Sequence, residues 1–243
     1  VEQGIAAAAT SLQATGGADF LASIMTTDRF PKACALEVET ADGVIRVGGC
    51  AKGAGMIAPA MATMLCFITT DAAVSPGVMR SLLRRVVGRT FNRVSVDGQM
   101  STNDCVFLLA GGGSRVFLSP AGAAQLGAAL HCLLLRLALM MVADGEGATK
   151  VVRLRVRGAA SDEEARMVAR AVADSSLVKT AMYGCDPNWG RVLSAAGAVL
   201  PGRTLPNVYL EIGGVRVANN SRGVKLLSLI HICSCRRSPP CIY

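Results

Sequence analysis

Hydrophobic and polar positions change period several times along the 243 residues, and each change predicts an element. Residues 1–14 and 18–25 are Ala-rich with helical spacing, separated by Gly16 and Gly17, and Pro31 closes whatever helix precedes it. Residues 35–40 and 44–47 flank Asp42-Gly43, a strong short-range hairpin signal, so a two-stranded ribbon is expected there. A Gly-rich passage over 48–59 leads into a continuous apolar run at 63–70, which reads as a strand buried on both faces and opened by Thr63. Ser75-Pro76 and Ser119-Pro120 each place a capping residue before a proline at the first helical position, the second ahead of a long apolar helix. Residues 151–156 alternate like a half-buried strand, and Ser161 with Glu164 forms a capping box for the next helix. A helix over 189–200 and a hairpin of 208–212 with 215–218 around Gly213-Gly214 complete the ordered pattern. From about residue 226 periodicity ceases and cysteines cluster; 227–232 resembles the translation of a transposon end used in sequencing libraries. Residues 226–243 are therefore expected to be a non-native tail.

Alternating strands and helices predict a layered α/β protein, and composition agrees. Half the residues are hydrophobic (51%) but only 4% are aromatic, so the core must be built from Ala, Val, Leu and Met. The net charge of +8 raises the question of nucleic acid, but the basic residues are scattered and lack interleaved aromatics for stacking bases. A positive balance fits small anionic substrates equally well. The longest apolar run, 126–143, is interrupted by His131 and Arg136, which points to a buried helix rather than a membrane span. Nine cysteines, several within apolar runs and none with metal spacing before residue 233, indicate a reducing, cytoplasmic setting. His231, Cys233, Cys235 and Cys241 lack a second zinc-like ligand pair, and no metal site is expected. The chain opens at Val1 within an apparent helix, from which an incomplete upstream sequence is expected.

The stretch from Lys52 to Leu65 carries the chemistry. It is no Walker loop, because Lys52 precedes its glycines, and no dinucleotide fingerprint, because Pro59 lies inside the would-be helix. A loop that delivers Ala62-Thr63 to a strand edge would instead let the threonine hydroxyl attack the preceding carbonyl. Cleavage there would free an α-amino group of pKa about 7.7–8.0, able to act as base for its own hydroxyl. On these residues alone, Thr63 as an ordinary β-branched strand residue remains the stronger reading.

The same stretch resembles the self-processing site of the glutamate N-acetyltransferase, or ornithine acetyltransferase, family. Further blocks resemble that family in order: 25–28 (Met-Thr-Thr-Asp), 49–65, 67–72, 91–92, 97–98, 101–104, 144–150, 177–180 and 186–191 (Asp-Pro-Asn-Trp-Gly-Arg). Ala60, Gln99 and Met100 are small departures within them. The resemblance implies an αββα architecture, two sheets layered between helices, as in ornithine acetyltransferases and DmpA-like hydrolases. It implies cleavage between Ala62 and Thr63, separating an α-chain part (1–62) from a β-chain part (63–225). Thr63 would then carry an acetyl group from N2-acetylornithine to glutamate without a cofactor, in arginine biosynthesis, with acetyl-CoA as a further donor in bifunctional members. Substrate contacts map to Thr26, Lys52, Thr63 and Glu146: lysine offers charge to a carboxylate, and a glutamate accepts from an amino group. Singly, Thr26 also reads as a turn residue, Lys52 as a solvated charge and Glu146 as a helix-end acid. The assembly implied is a heterotetramer of two α and two β chains.

Residues 101–104 and 186–191 are read as turn and capping chemistry, His131 as a packed helix residue and Trp189 as an anchor. The family's oxyanion hole, a Thr-Gly pair, falls upstream of Val1, and a C-terminal Asn and hydroxyl residue are also missing. The chain as given is thus expected to be inactive, although its parent gene encodes an enzyme. A self-cleaving aminopeptidase or amidase shares the same nucleophile logic, and a non-enzymatic phosphate- or nucleotide-binding domain is the third reading.

Overall fold

The computed structural model describes residues 1–58, 64–203 and 207–224. They form two compact units that divide after Gly147. This division by packing is separate from division at the 62/63 bond, which lies outside the described residues.

In the first unit, helices α1 (Glu2–Thr10) and α2 (Gly17–Ile24) precede a four-stranded sheet of β1 (Lys32–Thr40), β2 (Gly43–Lys52), β3 (Leu65–Thr70) and β4 (Cys105–Ala110) in that order. The β1–β2 hairpin is antiparallel with Thr40 opposite Gly43, so Asp42-Gly43 turns the chain where its local chemistry predicts. The Asp42 carboxylate then accepts from the backbone N–H and the hydroxyl of Ser119, both at 2.8 Å, tying that turn to the start of α4 (Pro120–Ala143). β2 pairs antiparallel with β3, and β3 parallel with β4 across the helix α3 (Pro76–Val87).

α4 covers one face of the sheet. Leu126, Leu130, Leu133, Leu134, Leu137 and Met141 recur at helical spacing and are fully buried against Ile45, Val47, Cys66 and Ile68. Gly49 permits this approach, since a β-carbon there would meet the Phe67 carbonyl oxygen at 3.0 Å and Leu133 at 3.1 Å. By length and composition α4 could cross a membrane, yet its apolar stripe forms the core of this unit.

β3 differs from expectation in two ways: its strand geometry begins at Leu65, and it is buried on one face only. Cys66, Ile68 and Thr70 point to α4, whereas Phe67 lies on the other face between Phe20 of α2 and Phe107 of β4. The Phe67 and Phe107 rings stack at 5.3 Å and Phe20 meets Phe67 edge-on at 5.1 Å, which lets an apolar side chain occupy the open face.

In the second unit α5 (Asp162–Asp174), α6 (Ser176–Tyr183) and α7 (Trp189–Ala198) pack around Val172, Val178, Val192 and Ala196. A small antiparallel sheet follows, of β5 (Leu210–Ile212), β6 (Val215–Asn219) and β7 (Arg222–Gly223). Gly213 and Gly214 both adopt positive φ in the β5–β6 turn, as the double glycine predicts. The Ser161 hydroxyl accepts from the Glu164 N–H, while the Glu164 carboxylate binds Arg203 at 2.8 Å. Residues 151–156 are not a strand, because no described strand lies beside them to complete a ladder, and Val151 and Val152 remain exposed. The α/β class read from the sequence holds, with one sheet in each unit.

Candidate active site

The candidate site begins where the chain leaves α2. Asp28 has its side chain wholly out of solvent and accepts from the N–H of Thr26 (3.2 Å), the N–H of Gly53 (2.7 Å) and Lys32 Nζ (2.5 Å). One carboxylate thus joins the 25–28 loop, the start of β1 and the end of β2. Burial works against its charged form, but the Gly53 amide, Lys32 and the Thr26 amide outweigh it and hold Asp28 below the usual carboxylate range. Lys32, also fully buried, bonds Asp144 at 2.6 Å. Asp144 ends α4, where the helix dipole disfavours an acid, and Arg29 supplies the offset: its N–H and Nε each donate to that carboxylate at 3.0 Å. Arg29 also donates to the Ala143 carbonyl at 3.1 Å.

This network, the buried Asp28–Lys32–Asp144 trio closed by the exposed Arg29, carries three of the four substrate residues named above at its edge. The Lys52 ammonium, on the last residue of β2, donates to the Thr26 hydroxyl at 3.4 Å. Glu146 follows Asp144 by two residues, and its N–H donates to the Ala54 carbonyl at 2.9 Å. Its exposed carboxylate lies against Gly55, where a β-carbon would come within 2.9 Å of Oε1. The Lys52 ammonium with the Thr26 hydroxyl at the 52 end of the 52–55 segment, and the Glu146 carboxylate at its 55 end, make a donor and acceptor set suited to an amino acid.

The fourth, Thr63, and its partner Ala62 lie outside the described residues. The flanking chain is held by acids. Asp97 accepts from the N–H groups of Met56 (2.6 Å) and Ile57 (3.1 Å), and Asp104 accepts from the N–H of Met64 at 2.7 Å. Burial pushes the Asp104 carboxyl above its usual range, against the lowering pull of the Met64 amide. Ala58, Met64 and Asp104 also line a cavity of about 430 Å³ with Phe91, Arg80 and Arg84. Thr26, Lys52 and Glu146 are not among its walls. Burial raises the thiols of Cys34, Cys50 and Cys66, so these sheet cysteines pack as apolar groups rather than as nucleophiles.

Sequence reasoning missed Lys32, Asp144, Asp97 and Asp104 as holders of the site. Each acid sits within one of the family-like blocks, which was the available signal, but a partner 112 residues away in sequence leaves no local pattern. Residues 101–104 and 186–191 make turn and capping bonds as read: Ser101 accepts from the Asn103 N–H, and Asn188 caps α7 by accepting from the Arg191 N–H. The Trp189 indole packs against Gly223.

Comparison with known proteins decides the family. The ArgJ family model matches residues 1–228. The chain belongs to the ArgJ family. Arginine biosynthesis bifunctional protein ArgJ of Nitratidesulfovibrio vulgaris is 50% identical over 208 residues, covering 86% of this chain and 53% of that protein. Glutamate N-acetyltransferase of Methanocaldococcus jannaschii is 51% identical over 177 residues, 72% of this chain and 44% of that protein. The chain spans about half the length of the curated relatives it matches. The crystal structure of ArgJ from Bacillus halodurans superposes with a TM-score of 0.63 at 37% identity, over 68% of this chain and 78% of that one. Family membership thus rests on most of the chain.

Proposed function

We propose that this chain is part of a self-processing acetyltransferase of arginine biosynthesis that moves the acetyl group of N2-acetylornithine to glutamate. The observation that supports this reading is that one short segment, 52–55, joins the Lys52–Thr26 pair at one end to the Glu146 carboxylate at the other, in a member of the ArgJ family. Thr63 is the nucleophile. Its hydroxyl oxygen attacks the Ala62 carbonyl, the Ala62–Thr63 C–N bond breaks, and water hydrolyses the resulting ester. The freed α-amino group, with a pKa of about 7.7–8.0, takes the proton of its own hydroxyl for each later attack.

In turnover the Thr63 oxygen adds to the acetyl carbonyl, and the tetrahedral intermediate expels the ornithine amine, leaving an acetyl ester. The glutamate amine attacks that ester and the threonine oxygen leaves with a proton. Lys52 pairs with the substrate carboxylate, Glu146 accepts from the substrate ammonium, and the Thr26 hydroxyl orients Lys52. Acetyl-CoA serves as a second donor, in keeping with the bifunctional names of several relatives. The working enzyme is a cytoplasmic heterotetramer of two α and two β chains.

Intact-mass measurement tests the first step, using this chain extended to the length of its relatives beside its Thr63→Ala variant. Two fragments meeting between Ala62 and Thr63, absent in the variant, are expected. Wild-type protein that stays whole while folded would demote Thr63 to a strand residue. Acetylornithine turnover is then followed with and without glutamate. Transfer to glutamate is expected to dominate, and dominant transfer to water would reassign the chain as an amidase.

A further inference from the structure

The second unit holds a lysine–cysteine pair that the acetyl-transfer chemistry does not use. Lys150 Nζ spends its three N–H groups on the C-terminal end of α6: it donates to the Met182 carbonyl (2.9 Å), the Tyr183 carbonyl (2.8 Å) and Cys185 Sγ (3.0 Å). The two carbonyls are those a helix end leaves without intrahelical partners, so the ammonium acts as a cap and its position is fixed by backbone rather than by the thiol. Cys185 is held as well. Its φ of 57° lies in the left-handed region, uncommon for a residue with a side chain, and its N–H donates to the Met182 carbonyl at 3.2 Å. Both side chains are partly exposed, which leaves the sulfur open to a small oxidant.

We propose that Lys150 and Cys185 form a reversible covalent cross-link, a sulfenamide, when the protein meets hydrogen peroxide. The Cys185 sulfur attacks one peroxide oxygen, the O–O bond breaks and water leaves, so sulfur is oxidised by two electrons to the sulfenic acid. Lys150 gives one proton to solvent, and its nitrogen lone pair attacks the same sulfur. The S–O bond breaks, and the departing hydroxide takes a second proton from nitrogen and leaves as water. An S–N bond remains, and thiol reductants return both residues. Sulfenic acids are captured by whichever nucleophile lies closest, and here an amine is already in contact with the sulfur, so ring-closing precedes further oxidation. Cys34, Cys50 and Cys66 make no such pair, since burial keeps them as thiols.

The test is peroxide titration of the chain with Cys233, Cys235 and Cys241 replaced by serine, followed by trypsin and peptide mass spectrometry. The expected product is residues 137–153 joined to 180–191, lighter than the two peptides together by two hydrogens, with cleavage after Lys150 lost. Dithiothreitol restores both peptides, and the product is absent in Lys150→Arg, which keeps the charge and the cap, and in Cys185→Ser. Cys132, exposed on α4, serves as an internal reference that oxidises without joining a lysine. Trypsin still cutting after Lys150 overturns the proposal, whether Cys185 then carries only added oxygens, sits in a disulfide or is unmodified.

Discussion

Replacing Lys32 with methionine removes the cation shared by Asp28 and Asp144 while keeping an apolar stem of similar length. Both carboxylates are wholly out of solvent and sit 2.5 and 2.6 Å from the ammonium. Breaking a buried pair by deleting one partner typically costs about 3–5 kcal/mol. Here Asp144 keeps its two bonds from Arg29, and Asp28 keeps the Thr26 and Gly53 amides. The remaining donors place the expected loss at the lower end, about 3 kcal/mol, or about 10 °C in Tm for a protein of this size. Urea unfolding of wild type and Lys32→Met, repeated across pH, measures it. Asp28 is held below its unfolded value of about 3.9, so in wild type its contribution is complete above that pH and is lost as pH falls through the lowered folded value. In Lys32→Met the donors no longer outweigh burial, so protonation relieves the variant, and the gap narrows as pH drops from about 7 to below 4. A triple variant, Asp28→Asn, Lys32→Met and Asp144→Asn, removes every charge of the trio and recovers most of the loss. A gap under about 1 kcal/mol near neutrality, or one that does not change with pH, would refute the reasoning.

Three further outcomes are expected. Gly55→Ala pushes the Glu146 carboxylate aside, since the new methyl falls 2.9 Å from Oε1; in the transfer assay kcat/KM drops about tenfold with Tm unchanged, and an unaltered kcat/KM would remove Glu146 from the substrate contacts. Asp104→Asn keeps an acceptor for the Met64 N–H while discarding a carboxylate that burial disfavours, so its Tm at neutral pH does not fall, whereas at low pH, where wild-type Asp104 is protonated, the two proteins converge. Leu134→Ala empties a fully buried position of α4 against the sheet and lowers stability by about 2–5 kcal/mol in denaturant titration; a loss below that range would mean the core closes over the gap.

Elements whose signals are local were legible. Asp42-Gly43 and Gly213-Gly214 turn their hairpins as their backbone freedom dictates, and Ser119-Pro120 starts the long helix it predicts. Elements defined by partners were not. Cys105–Ala110 is six consecutive apolar residues, a run that periodicity cannot assign to strand or helix, and it becomes β4 only by pairing with β3. Residues 151–156 have strand-like alternation but no described neighbour to pair with. The one-sided burial of β3 is not legible locally, because Phe67, with Phe107 stacked on it and Phe20 edge-on from distant segments, makes its open face apolar. Within the site, Thr26, Lys52 and Glu146 were reached through family-like blocks rather than through any local rule. Lys32 was invisible, because a single lysine before an alternating run reads as solvated until Asp144 is brought to it.

The β2–β3 ladder sets Lys52 opposite Leu65. Because Cys66, Ile68 and Thr70 share one face with Ile45 and Val47, a slip of one residue would turn the entire apolar set away from α4. Core packing therefore acts as a ruler: it fixes which residue of β2 stands opposite which residue of β3, and so holds the Lys52 end of β2 beside the start of β3. Insertions and deletions among descendants of this sequence are then expected to be purged from β2 and β3, where one residue more or fewer would take Lys52 out of register with Leu65 while also dissolving the core.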